Sequence, residues 1–365
     1  MATDDVAVYK ELRAQLNTLP VGYPETKSGI EIKLLQRLFT PEEARLACNL
    51  GMLPIHVKEI SENLKNKGWD EDKVAETLKT MGKKGLILWS HKKGEDYYCL
   101  TPMVVGIYEL QLNKLNVDFL HDFEQYLDEG LKAELVGEGK TPQLRTIPIE
   151  ESVEHLPQIA SFDEVRQLVE NQSKFAVADC ICRQAQALLD NECKHSKGFC
   201  FQFGTGAYNF INLGLAKEIT KEEALELLKQ AQDEGLVLQP TNAIKNISIC
   251  SCCGCSCEYL RTLNKYEKPA RMVASNFHAE VDSEECIGCG KCEERCHMGA
   301  ITVNEETGIA EVNLDRCIGC GVCVPVCASE AVKMEKNEME IVPPSNLVHL
   351  YQKIATEKIN KEKIE

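Results

Sequence analysis

The sequence predicts a multidomain α+β chain. Helices and a hairpin come first, then a cysteine-rich α+β middle, and a duplicated cysteine module with a closing helix comes last. Three observations carry this prediction. At 365 residues the chain is long for one domain. Seventeen of its nineteen cysteines lie between Cys180 and Cys327, leaving only Cys48 and Cys99 outside. Residues 279–303 and 310–334 repeat one another at an offset of 31 positions.

Composition narrows the class. Hydrophobic residues make up 44% and charged residues 27%, as in ordinary globular protein. No run approaches the roughly 18 consecutive apolar residues of a membrane-spanning helix. The opening MATDDVAVYKELRAQ places acids where a secretory leader would be basic and then apolar, so the cytoplasm is the expected location. A net charge of −16 argues against broad attraction to nucleic acid or anionic membrane. Thiols this dense in a reducing compartment point to metal rather than disulfides, and to an anaerobic setting.

Taken in order, residues 1–29 read as a helical arm on Val6, Val8, Tyr9, Leu12, Leu16 and Leu19, broken by Pro20, Gly22 and Pro24. Residues 30–102 come next. Leu34, Leu35, Leu38 and Phe39 recur at helical spacing, and Thr40-Pro41-Glu42-Glu43 starts a further helix. Short helices are expected at His56–Leu64 and Asp70–Lys84, then a hairpin from Leu86–Ser90 to Tyr97–Leu100 around a charged tip. Helices followed by such a hairpin resemble a winged-helix domain. Met103–Leu135 reads as mostly helical within a connector spanning 103–148, and Gly137–Pro148 as a linker or extended strand. Amphipathic helices are expected at Ser161–Gln172 and Thr220–Gly235 in a cysteine-rich domain over 149–275. A duplicated module at 276–340 and a charged helix within 341–365 complete the chain.

Each repeat of the module contains C-x2-C-x2-C-x3-C: Cys286, Cys289, Cys292 and Cys296, then Cys317, Cys320, Cys323 and Cys327. Three thiolates spaced two residues apart wrap three corners of one iron–sulfur cubane, and the next turn carries the fourth cysteine to the other cluster. The expected ligand sets therefore cross: Cys286, Cys289, Cys292 and Cys327 on one [4Fe–4S] cluster, Cys296, Cys317, Cys320 and Cys323 on the other. Gly288, Gly290, Gly319 and Gly321 allow the loops to turn tightly. About 55 residues here resemble bacterial two-cluster ferredoxins. The proline usual after the fourth cysteine is replaced by His297 and Ala328.

Nine further cysteines lie upstream: Cys180, Cys182, Cys193, Cys200, Cys250, Cys252, Cys253, Cys255 and Cys257. They are candidates for an additional iron–sulfur cluster, with a zinc or mixed thiolate site and free redox-active thiols as the other readings. Cys250 with Cys252, and Cys180 with Cys182, would share a face if the chain is extended there. Residues 175–260 resemble a region that precedes dicluster ferredoxin domains in many anaerobe proteins. Cys252-Cys253-Gly254 is similar to the paired-cysteine motif of heterodisulfide reductase catalytic subunits, without that motif's downstream C-x-x-C. Arg183 is a candidate for tuning a cluster by hydrogen bonds, with a surface salt bridge as its plainer reading. His195 reads as a surface histidine or a ligand, and Phe199, Phe201, Phe203, Tyr208 and Phe210 as an apolar wall.

The resemblances imply an iron–sulfur electron-transfer protein, a subunit of an oxidoreductase rather than an independent catalyst, serving a redox partner protein. A redox-sensing winged-helix transcription regulator is the second reading, with Lys73, Lys79, Lys83, Lys84, Lys92 and Lys93 toward DNA. The acidic start Asp70-Glu71-Asp72 of the would-be recognition helix argues against it and favours protein docking or dimerisation through this domain. A reductase with a catalytic upstream iron–sulfur site is the third.

Overall fold

The computed structural model describes residues 3–65, 68–92, 94–137, 139–157 and 159–362. Five helices build the N-terminal region: α1 (Thr3–Asn17), α2 (Ile30–Leu38), α3 (Pro41–Ala47), α4 (Val57–Lys65) and α5 (Glu71–Lys84). Thr40 and Glu43 close a capping box on α3, and the Asp70 side chain caps α5 by accepting from the Lys73 amide. Gly85, at φ 77°, ends α5 against Leu110, a turn that a β-carbon would obstruct. Strands β1 (Ile55–His56), β2 (Leu88–Lys92) and β3 (Glu95–Cys99) form an antiparallel sheet in the order β1-β3-β2. The helix expected from His56 begins one residue later because His56 pairs with Tyr97.

The mostly helical reading of Met103–Leu135 holds for one short 3-10 turn at Glu109–Gln111 and then from residue 117. Val104 and Val105 are extended and Gly106 has φ 171°, so regular helix does not form around them. Asn116 then caps α6 (Val117–Tyr126), which passes through a wider turn into α7 (Lys132–Leu135).

The central region is a five-stranded antiparallel sheet in the order β6-β4-β5-β8-β7. Its strands are β4 (Phe175–Ala178), β5 (Cys200–Phe203), β6 (Ala216–Ile219), β7 (Val237–Pro240) and β8 (Ser248–Cys252). Around it lie α8 (Val165–Glu170), α9 (Ile181–Leu188), α10 (Thr205–Asn212), α11 (Lys221–Asp233) and α12 (Glu258–Asn264). Residues 144–147 run beside β7 through bridges to Thr241 and Leu238. Helix α8 is shorter than expected because turns at 161–163 deliver Asp163 inward to an ion pair with Arg145, both side chains 2% exposed.

The C-terminal module holds β9 (Phe277–Val281), α13 (Lys291–Arg295), β10 (Ile301–Val303), β11 (Ala310–Val312) and β12 (Val332–Lys336). Strands β9 and β12 pair antiparallel, as do β10 and β11. Phe277, Ile301, Val332 and Met334 close a small core, each burial worth about 1.5–3 kcal/mol. Helix α14 (Leu347–Glu362) packs on the body, with Leu350 fully buried and Glu357 accepting from the Thr141 amide and hydroxyl.

Candidate metal centres

The two cysteine loops of the module turn at Gly288, Gly290, Gly319 and Gly321, all with φ between 65° and 74°. A β-carbon would strike the Gly308 carbonyl at Gly288 and the Phe277 carbonyl at Gly319, so glycine is sterically required there. Cys292 faces Cys286 and Cys327. Cys296 faces Cys317, Cys320 and Cys323 across the module. Burial, more than these neighbours, pushes the thiols of Cys292, Cys317 and Cys323 up, and that of Cys320 to about 12. Backbone amides of Ala279, Ala300 and Ala310 donate to Cys317, Cys296 and Cys286 at 3.3–3.4 Å. Eight soft donors, amide hydrogen bonds to sulfur and glycine cradles fit two cubanes.

The two loops sit differently in the molecule. Ile287 in the first is 71% exposed, whereas its repeat counterpart Ile318 is 2% exposed. Cys289 is exposed as well. The second loop is docked on the body: the Ile149 amide donates to the Cys320 carbonyl at 3.2 Å, and Gly321 lies against Ser152.

The upstream cysteines separate into a group of six and a group of three. Cys180, Cys182, Cys200, Cys250, Cys252 and Cys257 line a cavity of about 80 Å³, with Glu109, Phe199 and Tyr259 among its other walls. Antiparallel pairing sets Cys200 opposite Cys250, and strand alternation keeps Cys250 and Cys252 on one face. Cys180 and Cys182 are not on a strand: Cys180 caps α9 and Cys182 lies in its first turn, so the helix brings both to the cavity. Cys257 caps α12. The thiols neighbour one another in a closed circuit, with Cys182 beside Cys180 and Cys257, Cys252 beside Cys257 and Cys250, and Cys200 facing Cys250 and Cys180.

Among the residues lining this cavity none is cationic, and Arg183 is the guanidinium that lies against its thiols. Burial pushes Glu109 up to about 7, against the Gly106 amide that donates to it. The hydrogen bond from Cys182, helped by Arg183, draws Cys180 down to about 7. The Tyr259 hydroxyl is buried there with no partner among the described residues. Arg183 is 1% exposed, which excludes the surface salt bridge. Its guanidinium donates to the carbonyls of Ser196 and Ser251 at 2.9 and 2.8 Å. Burial works against its charge, but Cys180, Cys253 and Cys252 outweigh burial and hold it firmly protonated.

Cys193, Cys253 and Cys255 form the second group, with Sγ–Sγ separations of 3.4–3.6 Å. Beside them His297 receives the Gly254 amide on Nδ1 at 3.2 Å and donates from Nε2 to the Gly235 carbonyl at 2.8 Å. The residue that replaces the usual proline thus joins the module to the turn between Cys253 and Cys255. His195 is not a surface histidine: it lies against His297, and burial, then His297 and Arg183, lower it to about 4.

Phe199, Phe201, Phe203 and Phe210 are buried as an apolar wall, but Tyr208 is not part of it, standing 56% exposed under the Lys174 ammonium. Glu109, Tyr259 and His297 are the site residues that sequence reasoning did not identify as such; only His297 carried a signal, the missing proline. Among the lysines named toward DNA, Lys73 pairs with Glu42 and Lys84 with Glu43. Lys93 and the side chain of Lys92 lie outside the described residues.

Residues 285–331 match the family described as the 4Fe-4S dicluster domain. No curated protein and no solved structure matches the chain. Among the described residues no helix is long and apolar enough to cross a membrane.

Proposed function

We propose that this chain, with a 4Fe-4S dicluster domain as its premise, is an electron-transfer subunit that passes electrons between a redox partner and an upstream cluster. The observation that carries this reading is the asymmetric seating of the two cysteine loops, one open at Ile287 and Cys289, the other docked on the body. Cys286, Cys289, Cys292 and Cys327 would hold the outward cluster, and Cys296, Cys317, Cys320 and Cys323 the inward one. The circuit of Cys180, Cys182, Cys200, Cys250, Cys252 and Cys257 would hold the additional cluster, whose cationic irons suit a cavity crowded with thiols and the Glu109 carboxyl. Bound clusters supply outer-sphere transfer of single electrons. The chain itself holds them, donates amide hydrogen bonds to sulfur and excludes water with Phe199 and Phe201.

A short covalent and hydrogen-bonded route supports inward transfer. Cys296 is bonded to His297, His297 accepts from Gly254, and Gly254 follows Cys252-Cys253 directly. Protein docking is the favoured role for the N-terminal region, since Lys73 and Lys84 are already paired with acids.

Iron and acid-labile sulfide per chain on anaerobically purified protein test the proposal. About twelve irons are expected, against about eight for the dicluster domain alone. The Cys182→Ser/Cys252→Ser variant should fall to about eight while keeping the EPR of the reduced dicluster domain. A wild-type value of about eight would remove the upstream cluster. Undiminished electron flow to a partner after both C-terminal signals are lost would sink the whole reading.

A further inference from the structure

The group of three differs from every other set of cysteines here in its spacing. A single tetrahedral ion bound at about 2.3 Å holds its thiolates about 3.8 Å apart. A cubane takes each thiolate on a different iron, so no three of its thiolates need gather mutually this close. The Sγ atoms of Cys193, Cys253 and Cys255 stand 3.4–3.6 Å from one another. Among the described residues, no other three cysteine, histidine, aspartate or glutamate ligand atoms lie mutually within 4.8 Å, and this includes the eight thiols of the dicluster module. The spacing is therefore that of one ion.

We propose that Cys193, Cys253 and Cys255 bind a single zinc-class divalent ion, separate from the iron–sulfur clusters, with its fourth coordination position open. Neither nearby histidine supplies a fourth ligand, since no ring nitrogen of either lies within 4.8 Å of all three thiols. His297 uses both ring nitrogens on Gly254 and Gly235, and His195 Nδ1 lies 3.7 Å from Glu234. Cys255 is exposed, so the open position faces solvent and can take water or a small thiol. Charge balances without further groups: three thiolates and a divalent ion leave one negative charge, and Arg183, whose charge Cys253 helps to hold, supplies one positive charge. Binding releases the three thiol protons to solvent and changes no oxidation state. The site lies outside the electron-transfer reading and does not depend on it: zinc content tests the one, iron content the other.

Metal analysis of the full-length, anaerobically purified protein should find about one zinc per chain beside the iron. Cys193→Ser and Cys255→Ser should each lose that zinc, at least tenfold, with iron, sulfide and EPR unchanged. Cys255→His, which restores a ligand at an exposed position, should retain it. Adding Co²⁺ alone to chelator-treated wild type should give the charge-transfer and d–d bands of a tetrahedral thiolate site. Wild type without zinc and without those cobalt bands overturns the proposal. So does Cys255→Ser that keeps its zinc, or that instead loses about four irons per chain, which would make the three thiols corners of a cluster.

Discussion

His297 shows how much one residue can alter the use of a widespread module. A proline at this position would have neither a ring nitrogen for the Gly254 amide nor a donor for the Gly235 carbonyl. The histidine has both, and burial, more than any neighbouring charge, favours its neutral form, which the two bonds require. The His297→Pro variant should keep its iron, because no ligand is changed. If the proposed upstream cluster is the acceptor, electron transfer to it from the dicluster domain should slow by about tenfold or more, the kinetic equivalent of about 1.4 kcal/mol. Flash-reduction kinetics measure this step, and an unchanged rate at full iron content would leave His297 a purely structural contact.

At the level of secondary-structure elements, α2 and α6 are pinned together by one carboxylate. Lys33 and Arg37 both reach Asp122, at 2.7 and 2.5 Å, and its side chain is 8% exposed. Burial works against the charge, but the hydrogen bonds from Lys33 and Arg37 outweigh it and keep the pKa below the usual 3.8. A depressed carboxyl contributes stability that is present above its unfolded pKa and lost only as pH falls through the folded one. Asp122→Asn should therefore lower stability by about 1.5–3 kcal/mol, equally at about pH 8 and about pH 5. Urea melts at the two values and at about pH 3 check it; a gap that does not shrink by about pH 3 would show that the pairs do not depress the carboxyl.

Across the whole molecule, the proposed electron-transfer role makes the acidic charge and the seating of the module the features that would receive a partner. The exposed first loop carries Ile287 among the exposed acids Glu284, Glu285 and Glu294. An apolar tip rimmed by acids suits a partner with an apolar socket and basic edges. Ile287→Lys should raise the KM for a reduced carrier protein about tenfold, a cost of about 1.4 kcal/mol, and leave iron content and cluster EPR unchanged. Steady-state reduction by the carrier is the measurement. A KM that does not move would place the entry point elsewhere.

The dicluster module was legible from the sequence because its ligands are local: all six spacings of the two motifs lie within two stretches of eleven residues, Cys286–Cys296 and Cys317–Cys327. The capped helices α3, α5 and α11 were legible for the same reason, since a capping side chain and the amide that donates to it are three residues apart. Residues 103–112 misled the helical reading because their periodicity was right while two β-branched valines and a glycine favoured extended backbone. The division of the nine upstream cysteines was decided only by tertiary structure. Cys253 and Cys252 are neighbours in the chain yet belong to different groups. Cys193 meets Cys253 across 60 positions and Cys200 meets Cys250 across a strand pair. No spacing encodes such contacts; the register of β5 on β8 and the start of α9 and α12 at a cysteine bring them about. Likewise the repeat makes Ile287 and Ile318 equivalent, and only docking against Ile149 and Ser152 buries one and leaves the other in solvent. Local chemistry determined what the module can hold, and long-range packing determined which end of it faces out.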